Sequence, residues 1–126
     1  MTDALVAFLK ARLDDDEQVA RQAASREQGG ASWRLEGATV LAGDGAPVAR
    51  HTWADEGVHI ARQDPARTLR EAEAKRRILR AHAKWCEGRC EAKYPEGGFD
   101  AAHYWSIKAL AAVYADHPDY LEEWRP

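Results

Sequence analysis

An aspartate and a proline side by side, Asp64 and Pro65, constrain this chain more than any other pair of residues in it. Aspartate is a good N-cap, and proline is preorganised for the first helical turn and needs no amide partner there. The pair therefore predicts a helix that starts at 64–65, and the pattern carries it to about Trp85. The run around it, HIARQDPARTLREAEAKRRIL from His59 to Leu79, has strongly patterned charge after the start signal. A second start of the same kind, His117-Pro118, lies in YADHPDYLEEW, Tyr114 to Trp124, and opens a short last turn through Glu123.

Two further helices follow from periodicity. From Asp3 to about Arg26, Leu5, Phe8, Leu9, Leu13, Val19, Ala20 and Ala23 recur at helical spacing, and Gly29-Gly30 closes the run. The third long helix spans about Asp100 to Ala115, after the Tyr94-Pro95-Glu96-Gly97-Gly98 loop. Between the first and second helices, Trp33 to Trp53 reads as a β-hairpin. Val40-Leu41 and the segment from Val48 to Trp53 flank the glycine turn Gly43-Asp44-Gly45, and Pro47 suits an edge strand. The expected fold is thus mainly α with a small β-hairpin: three long helices, the hairpin between the first and second, and a short C-terminal helical turn.

With 126 residues, 45% of them hydrophobic, residues 1–126 are expected to form one domain around one modest core. The apolar stretch Ala4 to Leu9 is far too short to span a bilayer and carries no signal-peptide cleavage pattern, which places the protein in the cytoplasm. The two cysteines are compatible with a reducing compartment. Charge is unevenly spread. Residues 61–93 hold 10 Lys and Arg against 5 Asp and Glu, while the net charge of the whole chain is -3. Such a basic segment either meets an acidic partner or docks on the acidic parts of its own fold.

Helical wheels expose polar residues on apolar arcs. Arg12 and Asp16 fall inside the arc of the first helix, and Arg76 falls between Leu69 and Ala83 on the second. An inward guanidinium needs an acid, because a buried unpaired charge costs several kcal/mol. Asp16, with Glu17 beside it, is therefore expected to meet Arg76. The cluster has two readings: an ion pair that fixes helix register, or a polar pocket of Asp16, His59 and Arg76 for a small anionic or polar ligand.

The opposite face of the second helix carries Arg70, Arg77, Arg80 and Lys84 within about 80° of one another. This basic face suits phosphates or an acidic protein surface, although Glu71-Lys75 and Glu73-Arg77 are also i,i+4 pairs of the kind that support a solvated helix. Neither overall basicity nor a recognition-helix motif accompanies it, which argues against nucleic acid. Further along, His82, Cys86, Cys90 and His103 have the number and type of ligands for a tetrahedral zinc site. Their spacing is looser than that of zinc knuckles, so hydrogen-bonded core histidines, inert buried thiols and a reversible Cys86-Cys90 disulfide stand beside zinc. Asp116, His117 and Asp119 offer a general base with orienting carboxylates but no nucleophile. Acidic residues at a helix start explain them equally well.

LVAFLKARLDDDEQVAR, from Leu5 to Arg21, joins the two runs quoted above in a pattern that covers nearly the whole chain. In these runs the chain resembles a family of small proteins of unknown function from actinobacteria and their phages. The resemblance implies no activity. It implies that relatives vary between the second helix and the YADHPDY run, where some carry Cys-x2-Cys and a later cysteine. This chain has Cys86-Glu87-Gly88-Arg89-Cys90 there, with His103-Tyr104 near the later position. The reading that results is a non-enzymatic binding or accessory protein, with a protein partner or a second copy as its ligand and no membrane association. A zinc- or ligand-binding protein is the alternative, and an enzyme with the Asp16, His59 and Arg76 pocket comes third.

Overall fold

A computed structural model describes residues 2–25, 30–86 and 98–126, without the side chains of 85, 86 and 98–101. In order, the elements are helix α1 (Thr2–Ala24), strands β1 (Trp33–Glu36), β2 (Thr39–Ala42) and β3 (Pro47–Ala49), helices α2 (Ala54–Arg62) and α3 (Pro65–Ala81), a π-helical turn (His82–Cys86), helix α4 (Gly98–Ala112) and a 3-10 turn (Glu122–Trp124). The fold is mainly helical with a small antiparallel sheet. Its residues group into two compact units, 1–14 with 73–126 and 15–72, and α1 and α3 each contribute to both.

In the first unit the i,i+4,i+8 stripe Leu5, Leu9 and Leu13 is fully buried, with Phe8 beside it. That is the arc expected of one helical face. Leu79 from α3, Tyr104, Ile107 and Ala111 from α4, and Trp124 complete the core. Phe8 lies at the centre of an aromatic cluster. The ring of Trp124 is 5.1 Å from it, His117 5.6 Å, Tyr120 5.9 Å and Tyr114 6.3 Å, in edge-on or tilted arrangements. The YADHPDYLEEW run is thereby packed on α1.

The second unit differs from the sequence reading in two ways. First, the sheet has three strands, in the order β1-β2-β3, rather than a two-stranded hairpin. Gly37, at φ +60°, reverses the chain so that Trp33–Glu36 pairs with Thr39–Ala42. The expected glycine turn then joins β2 to β3, with Gly45 at φ +91° and the Asp44 carboxylate accepting from Ala46 N at 2.9 Å. Pro47 does begin an edge strand, but that strand ends at Ala49. Second, residues expected to finish the hairpin lead instead into the short helix α2, which packs on β1 and β2. Gly57 is buried in this contact.

Asp64 closes α2's exit and starts α3. Its Oδ1 accepts from Arg67 N at 2.8 Å as an N-cap, and its Oδ2 accepts from Trp33 N at 3.1 Å. One carboxylate thus ties a helix start to a strand start, each bond being worth about 1–2 kcal/mol. The third helix expected at 100–115 runs from Gly98 to Ala112. Val19, placed by the wheel on the buried arc of α1, is 66% exposed: the helix continues past Leu13 into the second unit, where Ala20 is the buried residue.

Candidate functional site

The polar residues that the wheels turned inward belong to both units, Arg12 and Arg76 to the first and Asp16 to the second. Asp16 lines a cleft of about 300 Å³ in the second unit with Val19, Ala20, Ala23, Trp33, Gln63, Pro65 and Thr68. Among the described lining residues it is the one charged group, in an otherwise largely apolar wall. His59 is exposed on α2 and is not among those lining residues. Arg76 lines a different cavity, in the first unit, with Lys10, Leu79, Arg80 and Ala83.

Arg76 Nη2 donates to Asp14 Oδ1 at 2.6 Å, a carboxylate the wheel did not single out. The side chain of Arg76 is 23% exposed and that of Asp14 72%, so this pair is open to solvent. At such exposure the ion pair contributes at most about 1 kcal/mol. Arg12, the other inward guanidinium, lies against an imidazole: its Nη1 is 2.9 Å from His117 Nδ1, and its Cζ is 5.3 Å from the Phe8 ring centre. His117 Nδ1 also accepts from Asp119 N at 3.0 Å. His117 is therefore part of the packing of the last turn on α1, a role that nothing in the local sequence around either residue signals.

Arg70, Arg77, Arg80 and Lys84 are all exposed, as the basic face requires. Glu73 accepts from Arg80 at 2.7 Å and from Arg77 at 3.4 Å, and the hydrogen bond and charge of Arg80, followed by Arg77, hold its carboxyl below the usual range. The expected Glu71-Lys75 pairing gives way to other contacts. Glu71 accepts from Arg67 at 2.9 Å, and Lys75 Nζ sits 5.6 Å from the Tyr114 ring centre.

Of the His/Cys set, His82 and His103 are brought together, their rings stacked at 5.0 Å and 16°. The Cys86 side chain and Cys90 lie outside the described residues, and among the described residues no three His, Cys, Asp or Glu are grouped to hold a metal. His82 is 5% exposed. Burial, and then the proximity of His103, push its pKa below the ordinary value, with Asp3 opposing. A histidine held neutral in the fold binds fewer protons than in the unfolded chain, so its contribution is intact above about pH 6.5 and is lost as pH falls toward the lower folded value. His82→Phe keeps a ring in the stack and removes the titration. Urea denaturation at pH 7.5 and pH 5 is expected to show the wild type losing stability relative to this variant on acidification, by up to about 1.4 kcal/mol per pH unit. Parallel losses in both proteins would show that folding does not lower the His82 pKa.

Two features of α4 complete the picture. Lys108 is buried on the inner face of α4, its Nζ 5.2 Å from the Tyr104 ring centre. The outer face of the same helix, continued by Val113, carries Ala102, Trp105, Ser106 and Ala109, with no charged residue; Trp105 is 51% and Val113 65% exposed.

The fold and these features define a small α+β chain with exposed apolar and basic faces, and no helix among the described residues is long and apolar enough to cross a membrane. The chain belongs to a family of unknown function, DUF6221, whose model matches residues 2–126. No curated protein and no solved structure matches it.

Proposed function

We propose that this protein is a non-enzymatic binding module of the cytoplasm that self-associates through the outer face of α4. The observation that carries this reading is the stripe Ala102, Trp105, Ala109, Val113, apolar at helical spacing yet open to solvent. A helix that is apolar on both faces is normally covered on both. The stripe alternates small and large residues. A second copy crossing antiparallel, midway between Trp105 and Ala109, sets Ala102 against Val113 and Trp105 against Ala109, the self-complementarity a two-fold contact requires. Burying the exposed half of Trp105 contributes about 2–3 kcal/mol per copy.

Sedimentation velocity across roughly 1–200 µM is expected to show a monomer–dimer equilibrium. Trp105→Glu, with its circular dichroism unchanged, is expected to remain monomeric throughout. A wild-type monomer over the whole range overturns the reading.

A second reading is supported by the His82-His103 stack: zinc held by His82 and His103 with Cys86 and Cys90. Burial keeps His82 neutral, the form in which imidazole ligates metal. Native mass spectrometry of protein purified under reducing conditions without an affinity metal is then expected to show one zinc per chain, lost on His103→Ala. A bare mass counts against this reading and leaves the α4 surface untouched.

A further inference from the structure

The cavity between the first half of α1 and the second half of α3 is lined by Lys10, Arg76 and Arg80 around Leu79 and Ala83. Among the described residues, three of its five lining side chains are cations and none is a carboxylate. Its volume, about 120 Å³, is well below that of a pocket for a drug-sized organic ligand and leaves room for a single compact group. We propose that this cavity is an oxyanion site that takes the phosphate of a small phosphate monoester.

The local chemistry favours that class. A phosphate monoester carries about -1.5 to -2 charges at neutral pH and presents three acceptor oxygens, matching two guanidinium forks and an ammonium. Asp14 accepts from Arg76 and Glu73 from Arg80; their side chains are 72% and 49% exposed and are not among the lining residues. Arg80 uses Nη2 for Glu73, and a guanidinium has five N–H donors in all. Lys10 is exposed, with no ion pair to it among the described residues. Leu79 and Ala83 give the cavity an apolar floor, against which the first carbons of an ester fit where inorganic phosphate leaves it bare.

The test is an amide-resolved NMR titration of the full chain with inorganic phosphate, with phenyl phosphate, and with sodium chloride at matched ionic strength. Saturable shifts at residues 10 and 76–83 are expected with both phosphates and not with chloride, with phenyl phosphate at least about threefold the tighter. Arg80→Gln is expected to weaken binding about tenfold and Lys10→Gln about fivefold, whereas Lys84→Gln, outside the cavity, changes it less than about twofold. All three positions are exposed, and circular dichroism verifies each fold. Shifts that chloride reproduces overturn the proposal. So does equal weakening by Lys84→Gln, together with tighter binding of an oligonucleotide than of phenyl phosphate, which would make the outer basic face a polyanion surface instead.

Discussion

Trp124→Ala is expected to destabilise the protein by about 3–5 kcal/mol, the largest loss from any single residue named here. Trp124 is 3% exposed and lies 5.1 Å from the Phe8 ring centre and 5.8 Å from that of Tyr120, so its removal opens a void that the surrounding rings fill poorly. The loss extends to the last turn as a whole. Tyr120 and His117 also stand against Phe8, and a 3-10 turn of three residues has little stability of its own. Urea denaturation measures the effect. Trp124→Phe is the informative companion: it keeps a ring on Phe8 and removes a buried indole N–H that has no acceptor among the described residues. It is expected to cost less than half as much as alanine. A loss under about 1 kcal/mol for Trp124→Ala would show that the turn does not depend on this packing.

The second large effect has the sign opposite to the usual one. Gly57 is in the interior of α2, where replacing glycine by alanine ordinarily stabilises by about 1 kcal/mol. Here an added Cβ would lie 2.6 Å from Thr52 Oγ1 and 2.7 Å from Leu35 Cδ1. Thr52 Oγ1 is held by its donation to Ala38 O at 3.0 Å, so it does not swing aside freely. Leu35 Cδ1 is a side-chain tip and yields more easily. Overpacking of this kind costs about 1–3 kcal/mol, which exceeds the helix-propensity gain. Gly57→Ala is therefore expected to destabilise by about 1–2 kcal/mol, and Gly57→Val by considerably more, with hydrogen exchange in β1 and β2 accelerating in step. A gain in stability for Gly57→Ala would mean that α2 does not approach the sheet this closely.

These two positions mark different degrees of legibility. Trp124 belongs to an aromatic-rich chain short of other large apolar residues, so its burial follows from composition, whereas the helical turn expected from His117-Pro118 is confined to Glu122–Trp124, because 117–121 form a turn and an extended stretch that ends at Leu121. Gly57 gives no such sign. In sequence it is one glycine in a polar stretch between the expected hairpin and the Asp64-Pro65 start, and its meaning comes only from Thr52 and Leu35 lying across from it. The third strand gives little sign in the sequence for a related reason. Four residues are too few for alternation to stand out, and the reversal at Gly37 is recognised only once β1 and β2 are paired.

The candidate sites divide in the same way. The basic residues of α3 and their solvent-facing positions follow from its periodicity, and both Arg77 and Arg80 share Glu73 as helical spacing allows. That Asp14 accepts from Arg76 does not follow from the sequence. Asp14 is 62 positions from Arg76 in the chain, so their contact depends on packing and not on local pattern. The stacking of His82 on His103 is likewise decided by packing across 21 positions of chain.

By itself, the sequence determined what local chemistry controls: the start of α3 at Asp64-Pro65, the buried Leu5, Leu9 and Leu13 stripe, the glycine turn with Pro47 at the sheet edge, and the outward basic face. Those depend on residues within a turn or two of one another, where capping, fixed φ and 3.6-residue periodicity act directly. Only the tertiary structure decided what depends on residues far apart in the chain. Arg12 lies against His117, Asp14 stands on Arg76, Lys10 joins Arg76 and Arg80 around one cavity, and α4 keeps an apolar face in solvent. The strength of each such contact is set by distance and exposure, which no local pattern encodes.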